Sequence, residues 1–164
     1  MKKILFALPL LFLLTACPVG LDYSPGATGT EVVNDNLSGT WVLDESHDDH
    51  EVRKVKFTKI DKYSYAVEVL EQGEMYALET NHLIMYQTKI DGLNVMYLKP
   101  EGENKYYLYQ FEMKGNKQLS IGDISLLDGG VDAVKSTQNL RDQIQASKNK
   151  EAFLALEKSL FNKK

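Results

Sequence analysis

Three sets of residues in this chain have types and spacings that could do chemistry, and all three point to binding rather than bond-making. The first is a pair of imidazoles, His47 and His50, at i, i+3 in an acidic run with Asp44, Glu45, Asp48, Asp49 and Glu51. Imidazole nitrogen and carboxylate oxygen are ligands that zinc and similar divalent ions accept, so His47 and His50 are the candidate metal ligands. The same pattern describes a solvated loop kept exposed by its acids, and it lacks the glutamate placement of a zinc protease; no cofactor is expected. The second set is aromatic. Eight of the nine tyrosines lie between Tyr63 and Tyr109. Aromatic residues suit half-buried strands, but Tyr63, Tyr65, Tyr107 and Tyr109 on one concave face, with Trp41, would offer apolar area and orienting hydroxyls to a small apolar ligand. The third is Cys17, the only cysteine, which closes Leu14-Thr15-Ala16-Cys17.

Catalytic constellations are missing. The chain has no Gly-x-Ser-x-Gly elbow, phosphate-cradling glycine loop or dinucleotide fingerprint. Glu68 and Glu112 are carboxylates of the kind used for proton transfer, but no spacing brings them together. The expectation is a protein that is not an enzyme.

Lys2 and Lys3 precede an apolar run from residue 4 to 14, followed by the small residues Thr15 and Ala16. That is the anatomy of a leader peptide, and the run falls short of the roughly 20 apolar residues that span a bilayer. The tetrapeptide ending at Cys17 resembles the lipobox of bacterial lipoproteins. The resemblance implies cleavage before Cys17 and acylation of that residue, with its thiol spent in a thioether. Each buried methylene contributes about 0.8 kcal/mol, so several acyl chains anchor firmly. Pro18 follows Cys17 where an aspartate would favour inner-membrane retention, so the resemblance implies a cell-envelope protein, on the outer membrane facing the periplasm rather than on the inner membrane.

Without residues 1–16 the chain carries 17 basic and 23 acidic residues, a net charge of −6. Nucleic acid is excluded as a partner, because phosphate binding needs clustered Lys and Arg. With Cys17 consumed, no disulfide is possible and the domain must be held by its core. Residues 17–36 are rich in Pro, Gly, Ser and Thr with no basic residue. They read as a flexible tether with a span on the order of 25 Å. Residues 37–164 form a single domain.

Within that domain apolar and polar residues alternate between turn clusters, the period of half-buried strands. Expected strands cover residues 40–43, 54–58, 63–69, 75–80, 83–90, 93–98, 105–113 and 118–121. Asp91-Gly92 is a strong hairpin signal, since a type I′ turn needs positive φ at both central positions. Residues 136–148 follow as a helix capped by Ser136 or Thr137, with Leu140 and Ile144 on one face. Phe153, Leu154 and Leu156 suggest a second short helix, and Leu160-Phe161 a last strand or a core contact. The fold class is mainly β: an antiparallel up-and-down meander of about eight strands, barrel or strongly curved sheet, with a C-terminal helix.

Gly39-Thr40-Trp41 at the first strand is similar to the Gly-x-Trp start of lipocalin-like β-barrels. The resemblance implies a tryptophan that plugs one end of the barrel, with an arginine packed on it; Arg141 is the only late arginine. The family's Thr-Asp-Tyr signature is absent. Two functions are expected to compete: a lipid-anchored module that docks an envelope protein, and a lipocalin-like cup for a small apolar or lipid ligand. Large side chains on the strand faces favour the first.

Overall fold

The computed structural model describes residues 20–44, 52–73, 82–126 and 129–164. The elements in order are β1 (Gly39–Leu43), β2 (Val52–Lys59), β3 (Tyr65–Gln72), β4 (His82–Ile90), β5 (Leu93–Pro100), β6 (Tyr107–Lys114), β7 (Gln118–Asp123), α1 (Thr137–Ser147), α2 (Glu151–Leu154) and β8 (Lys158–Lys163). Every strand pairs antiparallel with its sequence neighbours, and β8 closes the ring by pairing with both β7 and β1. The result is an eight-stranded up-and-down barrel, the closed form of the expected meander. Closure satisfies the backbone of both edge strands, which an open sheet would leave as a template for aggregation.

Eight strands of the described residues make the ring. The expected strand at 75–80 lies outside the described residues, whereas Leu160 and Phe161 sit in the closing strand. Asp91 and Gly92 have φ of 45° and 85°, the two positive values that the β4–β5 turn requires. Ser136 caps α1 by accepting from the Asn139 amide at 3.1 Å.

Alternation sends one side of each strand inward. Trp41, Leu43, Val55, Phe57, Tyr65, Val67, Val69, Leu83, Met85, Met96, Leu98, Phe111, Leu119 and Phe161 form one buried cluster. On β4 and β5 the outward residues are apolar too: Ile90 and Val95 join Leu21, Val134, Leu140 and Ile144 in a second cluster beneath α1. A strand covered on both faces reads as a continuous apolar run, and Val95, Met96, Tyr97 and Leu98 are all buried.

The flexible tether is corrected for residues 20–36. This segment lies on the barrel as a strap, running along the outside of β4 and β5 from the β5–β6 loop to the opposite end. Leu21 and Val33 are buried, and Leu21 exchanges two 2.9 Å backbone bonds with Tyr106. Composition suggested freedom, but backbone hydrogen bonds and a few isolated apolar side chains hold the segment. Past the strap, a short helical turn at Asp35–Leu37 places Leu37, fully buried, in the barrel end. Among the described residues no helix is long and apolar enough to cross a membrane.

Candidate functional site

Trp41 stands at the end of the barrel closed by the 35–37 turn. It is fully buried, and its Nε1 donates to the Leu37 carbonyl at 2.8 Å, so its one polar atom is satisfied. The cation on its face comes from Lys163, whose Nζ lies 5.3 Å from the ring centroid and donates to the Asn36 carbonyl at 2.8 Å. Gly39 leaves room for this: its φ is +127°, and a Cβ there would meet Lys163 Cε at 2.8 Å. Arg141, the only late arginine, does not stand there: α1 carries it to the strap on the outer wall.

Tyr65, Tyr107 and Tyr109 share the inner side with Trp41. Tyr65 is fully buried, meets Phe57 edge to face with centroids 6.2 Å apart, and donates from its hydroxyl to the Asn34 carbonyl at 3.1 Å. Burial, aided by the Asp35 carboxylate, raises its phenol above the ordinary value. Tyr107 and Tyr109 are half-buried and pack against the same core. Tyr63 does not join them. The Asp61 carboxylate accepts from the Tyr63 amide at 2.7 Å and from the Ser64 hydroxyl at 2.9 Å, an Asx turn that delays the strand to Tyr65. The same bonds hold the Asp61 carboxyl below its usual range. The Tyr63 ring lies under Lys62 Nζ at 4.6 Å.

Trp41 and Tyr65 are therefore packed core side chains with no surface open to a ligand. A cleft of about 230 Å³ lies instead on its outer wall, lined by Gly92, Leu93, Asn94, Gln110, Phe111, Glu112, Ser120 and Lys158. Its origin is a parting of strands: the β5–β6 ladder runs from Leu98↔Tyr107 only as far as Val95↔Gln110, so Leu93 and Asn94 diverge from Phe111 and Glu112. Gln110 is buried and donates to the Asp123 carbonyl at 3.1 Å. Asn94, Gln110 and Ser120 can each donate or accept, Glu112 can only accept when ionised, and Lys158 can only donate. This is a polar recess smaller than the roughly 300–1,000 Å³ of drug-sized sites. Its one sequence signal was Gln110, a polar residue in the middle of an aromatic strand.

A second group missed from the sequence lies under the strap. Tyr97, on the outer side of β5, is buried, stacks on Tyr86 at 5.5 Å and meets Tyr106 edge to face at 6.1 Å. Burial pushes its phenol strongly upward, with the Glu31 carboxylate adding to the shift. Arg141 ties the strap down: Nη1 donates to the Pro25 carbonyl at 2.7 Å and to Thr88 Oγ1 at 3.3 Å, and Nη2 to the Lys89 carbonyl at 3.1 Å. Gln87 accepts from the Asn34 amide at 3.2 Å and donates to the Val32 carbonyl at 2.6 Å. Asp22 pairs with Lys105 at 2.7 Å. An exposed pair of this kind contributes little, whereas a hydrogen bond to a charged group contributes about 1.5–3 kcal/mol, so Arg141 is the main clasp.

Cys17, His47 and His50 lie outside the described residues; among the described residues no three His, Cys, Asp or Glu side chains are grouped to hold a metal ion. No family model, curated protein or solved structure matches the chain.

Proposed function

We propose that the protein is a lipid-anchored lipoprotein of the bacterial cell envelope whose barrel is a non-enzymatic module for docking a protein partner. The anchor rests on Lys2, Lys3, the short apolar run and Leu14-Thr15-Ala16-Cys17. The observation that favours docking over ligand carriage is the packing of the inner face: Trp41, Tyr65, Met85, Met96 and Leu119 are each at most 2% exposed and offer no open surface to a cargo. An eight-stranded barrel is only wide enough to be filled by side chains or to hold one small ligand. The surfaces open to a partner are the uncovered wall of β2 and β3 and the C-terminal segment around Leu154, whose side chain is 71% exposed.

The lipocalin-like alternative draws on Trp41 at the end of a closed up-and-down barrel. It requires the inner aromatics to move aside for an apolar or lipid ligand. Native mass spectrometry of the mature protein released from membranes in detergent separates the two readings. A mass equal to the acylated chain, with or without a second polypeptide, supports docking; a bound lipid retained by Cys17→Ser, which has no acyl chains of its own, supports the cup. Cys17→Ser should also shift the protein from the membrane to the soluble fraction. Fatty-acid labelling that persists in this variant would overturn the anchor.

A further inference from the structure

We infer that the rim of the barrel formed by the β5–β6 loop rests on the lipid headgroups, with the 35–37 end and the Gly115-Asn116 turn pointing away from the bilayer. The inference rests on the anchor proposed above and deepens it by naming the face that meets the membrane.

The argument is one of reach. Had residues 17–36 been free, the barrel would hang on a leash with a span on the order of 25 Å and could tumble. The strap removes that freedom. Leu21 is paired on both backbone groups with Tyr106, and Asp22 with Lys105. A Cβ on Gly20 would meet Lys105 Cβ at 2.8 Å and the Tyr107 ring at 3.3 Å, so the chain already touches the rim at residue 20. Three peptide steps separate Cys17 from Gly20, and a fully extended chain covers about 3.3–3.6 Å per step, so the rim lies within roughly 11 Å of the acylated residue. The headgroup layer of one leaflet is itself roughly 5–8 Å thick. The leash is therefore used up in crossing that layer, and the rim must sit on it.

The direction follows from the topology. Each strand reverses the last, so β5 ends and β6 begins at the rim where the strap starts, while the β6–β7 turn and the helical turn at Asp35–Leu37 lie at the other end, to which the strap runs. Strands of about eight residues at about 3.3 Å each, tilted by about 40°, separate the two ends by about 20 Å. The rim's chemistry suits a zwitterionic surface. Residues 101–105 are all exposed and carry Glu101, Glu103 and Lys105, with no basic excess to draw anionic lipid. Tyr23, 38% exposed beside the rim, and the half-buried Tyr106 are side chains of the amphipathic kind found at membrane interfaces.

The test uses the acylated protein in phosphatidylcholine vesicles. With Cys17 acylated, Glu103→Cys and Asn116→Cys each provide one reactive thiol for a fluorophore, and both positions are exposed. Quenching by headgroup-nitroxide lipid should be several-fold greater at 103 than at 116. Inserting 15 Gly and Ser residues between Val19 and Gly20 restores a leash of about 20 Å and should erase the difference. Equal quenching at the two sites in vesicle-bound protein, or stronger quenching at 116, overturns the inference and leaves the anchor standing. A protein that carries no acyl group and does not float with vesicles ends both.

Discussion

The barrel has two outer walls built on the same strand period, and they have opposite fates. Outward positions on β4 to β6 include Ile90, Val95, Tyr97 and Leu108, and this wall lies beneath α1 and the strap. On β2 and β3 the outward positions carry Lys54 opposite Glu71, Lys56 opposite Glu68, and Thr58 opposite Ala66, and most of these side chains meet solvent. The inner face reads alike all the way round. What decides where the helix and the strap go is the outer face, because apolar area left in water costs about 25 cal/mol per Å², whereas alternating charges are well solvated. One wall recruits the rest of the chain, and the other stays in solvent.

The largest test of this contrast removes the cover. Leu140 and Ile144, on the barrel-facing side of α1, are fully buried, so Leu140→Ala should destabilise the protein by about 2–5 kcal/mol. Leu70→Ala, at a position 42% exposed on the bare wall, should change stability by less than about 0.5 kcal/mol. Chemical denaturation midpoints decide; similar losses at the two sites would mean that both walls are buried in the native protein.

Arg141→Ala sharpens the comparison within the covered wall. Loss of its three bonds to Pro25, Thr88 and Lys89 should cost about 1.5–3 kcal/mol. Most of it should appear as local opening of the strap. Amide exchange at Leu21 and Val33, which donate to Tyr106 and Lys62, should accelerate while amides in the β2–β3 ladder keep their protection. Uniform acceleration everywhere would make the strap part of the global folding unit.

A pH experiment probes the same wall from beneath. Burial raises the Tyr97 phenol, so the folded state holds that proton after the unfolded chain has begun to release it near pH 10. The unfolded state then binds fewer protons, and stability falls as pH rises. This contribution is complete below pH 10 and is lost above it at up to about 1.4 kcal/mol per pH unit. Tyr97→Phe should flatten the alkaline limb, leaving the smaller upward shifts of Tyr65, Tyr86 and Tyr107. An unchanged limb would place the Tyr97 hydroxyl in water and the strap off the wall.

The inner face was legible in the sequence because a period of two needs no tertiary knowledge: Val55 with Phe57, and Tyr107, Tyr109, Phe111 and Met113, announced themselves, as did Asp91-Gly92. Tyr63 misled because it continues the alternation of β3 backward, while the Asx turn at Asp61 depends on one carboxylate finding two donors. The strap was illegible for a different reason. Leu21, Pro25 and Val33 follow no period, and the segment is held by bonds to Tyr106, Gln87 and Arg141, 53 to 116 residues away for the latter two. The signal for it lay elsewhere, in the outward Val95 and Tyr97, which needed a cover that one eleven-residue helix only partly supplies. The cleft at Gln110 likewise depends on where a ladder stops, a property of barrel shear rather than of any one strand.

The smallest effect is expected on the bare wall, and it bears on what that wall is for. Lys56 and Glu68 face each other in register, and directly opposed unlike charges in a sheet contribute about 0.2–1 kcal/mol. A double-mutant cycle of Lys56→Ala and Glu68→Ala should return a coupling in that range, reduced further at 1 M salt, where the screening length drops to about 3 Å. A wall whose charges matter this little to folding can be altered without unfolding the barrel. The same two substitutions can then be carried into cells to ask whether a partner is lost, a question that changes under α1 could not pose because they would unfold the protein first. A coupling well above 1 kcal/mol would remove that separation and make the wall part of the scaffold.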